Sequence, residues 1–147
     1  MCIVISRFSF GIALFSTSMC LAQITTDGTV GPRQTLTGSD MQIGAELGST
    51  RGNNLFHSFQ TFDIPAGRSA TFTGPDKIQN VISRVTGGKI SNIDGQLRSK
   101  VGTADVYLIN PSGVVMGANA SVDVPAALHL STADEVRFSD GSRYSAR

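Results

Sequence analysis

The feature that most constrains this chain is a rhythm of short β-prone runs, each closed by Gly, Asn, Asp or Pro. The runs include Leu55-Phe56, Phe59 to Ile64, Ala70 to Phe72, Val81-Ile82, Arg84 to Thr86, Lys89 to Ser91, Gln96 to Arg98, Asp105 to Ile109, Val114 to Met116, Ser121 to Val124, Ala127 to Leu130 and Glu135 to Phe138. Turn signals separate them: Pro65-Ala66-Gly67, Gly74-Pro75-Asp76, Gly87-Gly88, Asp94-Gly95, Asn110-Pro111-Ser112-Gly113, Gly117-Ala118-Asn119 and Asp140-Gly141. Helical periodicity is poor throughout. Several runs alternate apolar and polar residues, as in Ser121-Val122-Asp123-Val124, which gives one buried and one wet face.

Short strands with single tight turns suit a β-sandwich or a β-solenoid. A sandwich favours longer strands and two-residue hairpins. The spacing here favours coils of roughly 20 to 25 residues, about five of them, stacked about 4.8 Å apart. Inward Val, Ile and Leu of each coil then lie on those of the next. Both open ends of such a stack need covering, because bare strand edges recruit other chains. Gln23 to Arg51 is the natural N-terminal cap, and no C-terminal cap is evident before Arg147.

Residues 1–22 differ from the rest. Arg7 precedes an apolar stretch from Phe8 to Leu21 that ends in Cys20-Leu21-Ala22, the layout of a secretory signal peptide with cleavage between Ala22 and Gln23. The stretch is shorter than the ~20 residues of a spanning helix and contains Ser16, Thr17 and Ser18. Residues 23–147 then form one domain. Both cysteines, Cys2 and Cys20, fall in the leader, so the mature chain holds none. Without disulfides, a small exported domain needs another source of stability, and coil-on-coil stacking supplies one.

The 147-residue chain carries a formal net charge of +1, with charges of both signs spread along it. No basic stripe exists to neutralise phosphates, which argues against nucleic acid as a partner. No cofactor motif is present. Thr86-Gly87-Gly88-Lys89 lacks the upstream glycine of a phosphate loop, and no Gly-x-Ser-x-Gly elbow occurs. His57 and His129 have no second ligand at metal-binding spacing, so both are expected at a turn or facing outward. Asp76, Asp94 and Asp123 each stand beside turn residues and are expected to build turns rather than to act as catalytic acids. The chain is not expected to be an enzyme.

From Asn54 onward the sequence resembles the haemagglutination-activity domain of filamentous-haemagglutinin-type exoproteins, the two-partner secretion family. The matching blocks are Asn54-Leu55-Phe56-His57-Ser58-Phe59, Phe72-Thr73-Gly74-Pro75, Ile78 to Gly88, Ser91-Asn92-Ile93-Asp94-Gly95 and Leu108 to Val114, continued by Ala118 to Val124 and Ser131 to Asp134. They occur in the family's order. Ser112 stands where the family commonly has Asn, and Met116 where it commonly has Phe.

The resemblance implies an all-β fold, a right-handed, single-stranded parallel β-helix of the pectin-lyase-like kind with an N-terminal capping segment. It implies a secretion module that the general secretory machinery delivers to the periplasm. There the periplasmic recognition domains of an outer-membrane β-barrel transporter bind it, and it reaches the surface of a Gram-negative-type cell or the medium. It also implies two candidate recognition segments, Asn110-Pro111-Ser112-Gly113 and Asn54-Leu55-Phe56-His57. For the first, a transporter-read determinant and a plain coil corner are equally good readings. Family modules usually run longer and precede a stalk, so the chain is expected to be truncated at its C-terminus. Two other readings are an adhesin fragment that binds glycans or host surfaces and, behind it, a carbohydrate-active β-helix enzyme.

Overall fold

The computed structural model describes residues 23–147 in full. Of the segment before them it describes the backbone of β1 (Ile5–Ser9) and β2 (Ile12–Ser16), an antiparallel pair. The signal-peptide reading and its cleavage point after Ala22 lie outside the fully described residues.

From Asp40 to Ser131 the chain winds as a parallel β-solenoid with three faces. One face stacks β5 (Asp40–Ile43), β8 (Ser69–Phe72), β11 (Gln96–Ser99) and β14 (Ser121–Asp123), all parallel. The second stacks β7 (Asn54–Phe62), β9 (Asn80–Val85), β12 (Asp105–Ile109) and β15 (Leu128–Ser131). The third stacks Ile64, β10 (Ser91–Ile93) and β13 (Val114–Met116). One face leads to the next, so neighbours in a sheet are one full turn apart in sequence. That separation is 26 residues between the hydrogen-bonded side chains of Asn54 and Asn80, and 22 between Asp105 and Ala127. It reaches 29 between Asp63 and Asn92. Longer turns than expected leave about four coils instead of five.

Alternation decides which residues enter the bore. Leu55, Val81 and Val106 form one column that continues to Leu128. Met41, Ala70, Leu97 and Val122 form a second; Ile64, Ile93 and Met116 form a third. Phe59, Phe62 and Phe72 fill the first coils, with Phe59 and Phe62 edge to face at 5.0 Å. Full burial of side chains such as Leu55, Ile64, Phe59, Phe62 and Phe72 is worth about 1.5–3 kcal/mol each before entropy is counted.

The expected N-terminal cap does two jobs. Its later part, β5, is already the first rung of the winding. Its other strands seal the open edge of β7: β3 (Ile24–Thr26) and β6 (Ser49–Arg51) both pair with it antiparallel, and β4 (Thr35–Leu36) pairs with β3. A strand edge left bare would present unpaired N–H and C=O groups to any passing chain.

After β15 the chain leaves the winding. β16 (Glu135–Arg137) and β17 (Arg143–Ser145) form an antiparallel hairpin around Asp140-Gly141. Asp140 Oδ1 accepts the Ser142 amide at 2.8 Å, and Gly141 sits at φ +88°, a conformation that glycine adopts without strain. The hairpin lies on the outer side of β7 and β9 and does not cover the last coil. Tyr144 meets Phe56 edge to face at 4.8 Å, and the Arg84 guanidinium lies over the Tyr144 ring at 4.2 Å.

Candidate functional site

Of the two segments singled out as recognition candidates, Asn54–His57 opens β7 in the first coil, and Asn110–Gly113 is the corner that follows β12, the strand of the same sheet in the third coil. Asn54, Leu55, Phe56 and His57 open β7. Asn54 Oδ1 accepts from Asn80 Nδ2 at 2.9 Å, a side-chain rung between coils. Leu55 is fully buried in the bore. Phe56 points outward and is half-buried beneath Phe138 and Tyr144 of the hairpin. Coil two separates these residues from Asn110 to Gly113, and no hydrogen bond joins the two segments among the described residues.

His57 corrects the expectation of an outward or turn histidine. It is fully buried. The reason is parity: in Leu55-Phe56-His57-Ser58-Phe59 the odd positions face the bore, so placing Leu55 and Phe59 inside places His57 there too. Its ring stacks with Phe59 at 5.8 Å and lies tilted to Phe72 at 5.5 Å. The chain passes so close at Gly48 that a Cβ there would stand 2.9 Å from the imidazole. Neither ring nitrogen has a hydrogen-bond partner, and burial pushes the ring's pKa down to about 4. His129 does face outward, stacked on Tyr107 at 4.3 Å.

Asn110 anchors the second segment. It too is fully buried, yet all of its polar side-chain atoms are used. Nδ2 donates to Lys89 O at 2.8 Å and to Ser91 Oγ at 2.9 Å, and Oδ1 accepts the Ser112 amide at 2.9 Å. Gly113 closes the corner at φ +122°, donating to Asn110 O at 3.0 Å. Pro111 and Ser112 ride on the outside of the corner. The geometry is that of a coil corner clamped to the coil beneath it. Gln23, the expected mature N-terminus, accepts from Thr61 Oγ1 at 3.3 Å beside β3.

A polar cluster that sequence reasoning missed ties the cap to the winding. Asp27 accepts from Ser58 Oγ and Thr86 Oγ1, each at 2.6 Å, and from the Thr29 amide and hydroxyl. Burial alone would raise its pKa, but the bonds from Ser58, Thr86 and Thr29 outweigh that and hold it below the ordinary carboxylate value. Next to it, Tyr144 Oη donates to His57 O at 2.8 Å, and Arg84 Nη1 donates to Ser145 O at 2.6 Å. Burial pushes the Tyr144 phenol up to about 12, so it keeps its proton. Asp94 Oδ1 accepts the Asn119 amide at 2.9 Å, which ties its turn to the turn one coil further on. No group of three His, Cys, Asp or Glu side chains suited to a metal occurs among the described residues.

Against known proteins, the family model described as the TPS secretion domain matches residues 22–147. A Heme/hemopexin-binding protein of Haemophilus influenzae (strain ATCC 51907 / DSM 11121 / KW20 / Rd) is 34% identical over 112 residues, 70% of this chain and 12% of that relative. A second Heme/hemopexin-binding protein of Haemophilus influenzae is 34% identical over 84 residues, 57% of this chain and 9% of the relative. The matched region is thus a small part of each relative's length.

Proposed function

Because this chain belongs to the TPS secretion domain family, the two-partner secretion module of exoproteins, we propose that an outer-membrane β-barrel transporter recognises it before its coils close. The general secretory machinery brings the chain into the periplasm. The transporter's periplasmic recognition domains take up an extended segment as an added strand, with backbone hydrogen bonds giving affinity and alternate side chains giving selectivity. The winding then forms outside, coil on coil, and each coil gained opposes return. The role is one of binding and transit, without catalysis.

The observation that supports this order of events is the burial of the candidate residues. Leu55, His57 and Asn110 are all at 0% exposure in the closed winding. A folded module hides these three side chains, and an unfolded chain exposes them. Recognition that reads Leu55, His57 and Asn110 therefore requires the unfolded form, whereas Phe56, Pro111 and Ser112 face outward in the folded one.

The test uses the isolated periplasmic domains of a candidate barrel encoded beside the chain. Chain diluted rapidly from denaturant should be captured at least ~10-fold more tightly than chain allowed to fold, a difference of about 1.4 kcal/mol. Equal capture of the two forms sinks the proposal. The adhesin reading has its own place on this chain: the groove of about 440 Å³ between β6, β7 and the hairpin, lined in part by Arg51, Phe56, Phe138, Arg143 and Tyr144. Binding of purified chain to a glycan array, lost in Arg51→Ala, would favour it.

A further inference from the structure

The interior of the first two coils holds two polar side chains with no partner. His57 on β7 and Ser83 on β9 are neighbours in register, both at 0% exposure. Neither imidazole nitrogen nor Ser83 Oγ makes a hydrogen bond. The apolar side chains Leu55, Phe59, Phe72, Val81 and Val85 belong to the same buried core in these coils. The same position in the third coil is Leu108, so the column itself tolerates a wholly apolar side chain.

We propose that His57 is an acid-sensitive catch on the first coil: the closed winding excludes a proton from this ring, and mild acid opens the coil. The chemistry requires no transporter and stands independently of the secretion reading. A charged imidazolium in a dry bore lacks both solvent and counter-ion, so the proton is taken up only as the coil unfolds. Among the described residues no charged group bonds to either ring nitrogen. The ionisable groups on the elements around His57 are Asp27 beside β3, Glu46 in the 3-10 turn (Ala45–Leu47), Arg51 on β6, Arg84 on β9, and Arg143 and Tyr144 on β17. None of them hydrogen-bonds or ion-pairs with the ring; Asp27 and Arg84 meet at Ser58 on the outer side of the sheet, and Tyr144 holds only the His57 backbone carbonyl.

The sign follows from linkage. The folded-state value, about 4, lies below the ordinary 6.5. The unfolded chain therefore binds more protons between these two values. The stability is fully present above the ordinary value and is lost as pH falls from there toward 4. The unfolding equilibrium constant should rise about 10²–10³-fold over that window, on top of any change due to carboxylates.

The experiment compares urea unfolding of the full chain with His57→Leu and His57→Gln from pH 7.5 to 4.5. The expected result is a wild-type midpoint that drops steeply while both variants stay comparatively flat. Wild-type and variant midpoints that run parallel across the range overturn the proposal. A direct reading covers the case in which neither variant folds: the His57 ring proton signals of the native wild-type chain are followed by NMR against pH. Signals that stay in the neutral position until the chain unfolds support the catch. A His57 titration in the folded state near pH 6.5 overturns it.

Discussion

The first coil and the last carry the same pattern and meet different fates. In the first, Met41 and Leu55 lie at 2% and 0% exposure, sealed by β3 and β6 along the edge of β7 and by the coil above. In the last, the matching inward positions Met116, Val122 and Leu130 are 41%, 44% and 36% exposed. Their columns are the ones that bury Ile93, Leu97 and Leu108 one coil earlier. Nothing among the described residues stacks on them, because the hairpin β16–β17 has gone to the side of the winding. In a solenoid, then, direction and burial are separate properties. The alternation of a strand sets the first, and a neighbour one turn away in sequence sets the second.

The sharpest way to break this contrast is paired truncation. Phe59→Ala should cost about 3–5 kcal/mol, since it empties a closed, aromatic-filled bore. Leu130→Ala should cost under about 1 kcal/mol, since much of that side chain is already wet. Urea unfolding of both variants gives the comparison, and similar losses would mean that the last coil is covered in solution.

Asn110 tests whether the later coils hold as firmly as the early ones. Asn110→Ala removes three side-chain hydrogen bonds and leaves Lys89 O and the Ser112 amide short of a partner. The expected loss is about 2–3 kcal/mol, with hydrogen exchange rising first around Lys89–Ile93. A loss confined to a few tenths would make the corner ornamental to stability, and its sequence would then need another explanation.

The smallest expected effect sharpens the sealed end. Asp27→Asn weakens the tie between cap and winding by about 1 kcal/mol, modest because the carboxylate is partly open to water. Its pKa lies below the ordinary 3.8 in the folded chain, so this contribution is present above that value and lost as pH falls through the folded one. The gap between wild type and Asp27→Asn in thermal midpoint should therefore be constant near neutral pH and close at strongly acid pH. A gap that widens in acid contradicts the bonding seen at Ser58 and Thr86.

Much of the fold was legible beforehand, for identifiable reasons. Gly, Pro, Asn and Asp mark corners because they supply backbone angles that other residues resist, and Asn110-Pro111-Ser112-Gly113 does form one. The split runs Leu55-Phe56 and Phe59 to Ile64 turned out to be one long strand, Asn54–Phe62, because pairing with β3, β6 and β9 carries the extended chain through His57-Ser58. β17 went unread, although Asp140-Gly141 after a β-prone run is a hairpin signal. The Asp27 cluster left no local trace, since its partners Ser58 and Thr86 are 31 and 59 residues away.

Local chemistry by itself determined that this chain would wind in short strands, where it would turn, and which side chains would share a face. Those outcomes depend on period two and on backbone angles, which neighbouring residues control. Only the tertiary structure decided that His57 goes in without a partner, that Phe56 is roofed by a hairpin, and that Met116, Val122 and Leu130 stay wet. Each of these depends on what lies a full turn or more away along the chain. Burial is a property of the assembled stack, and no single stretch of residues encodes it.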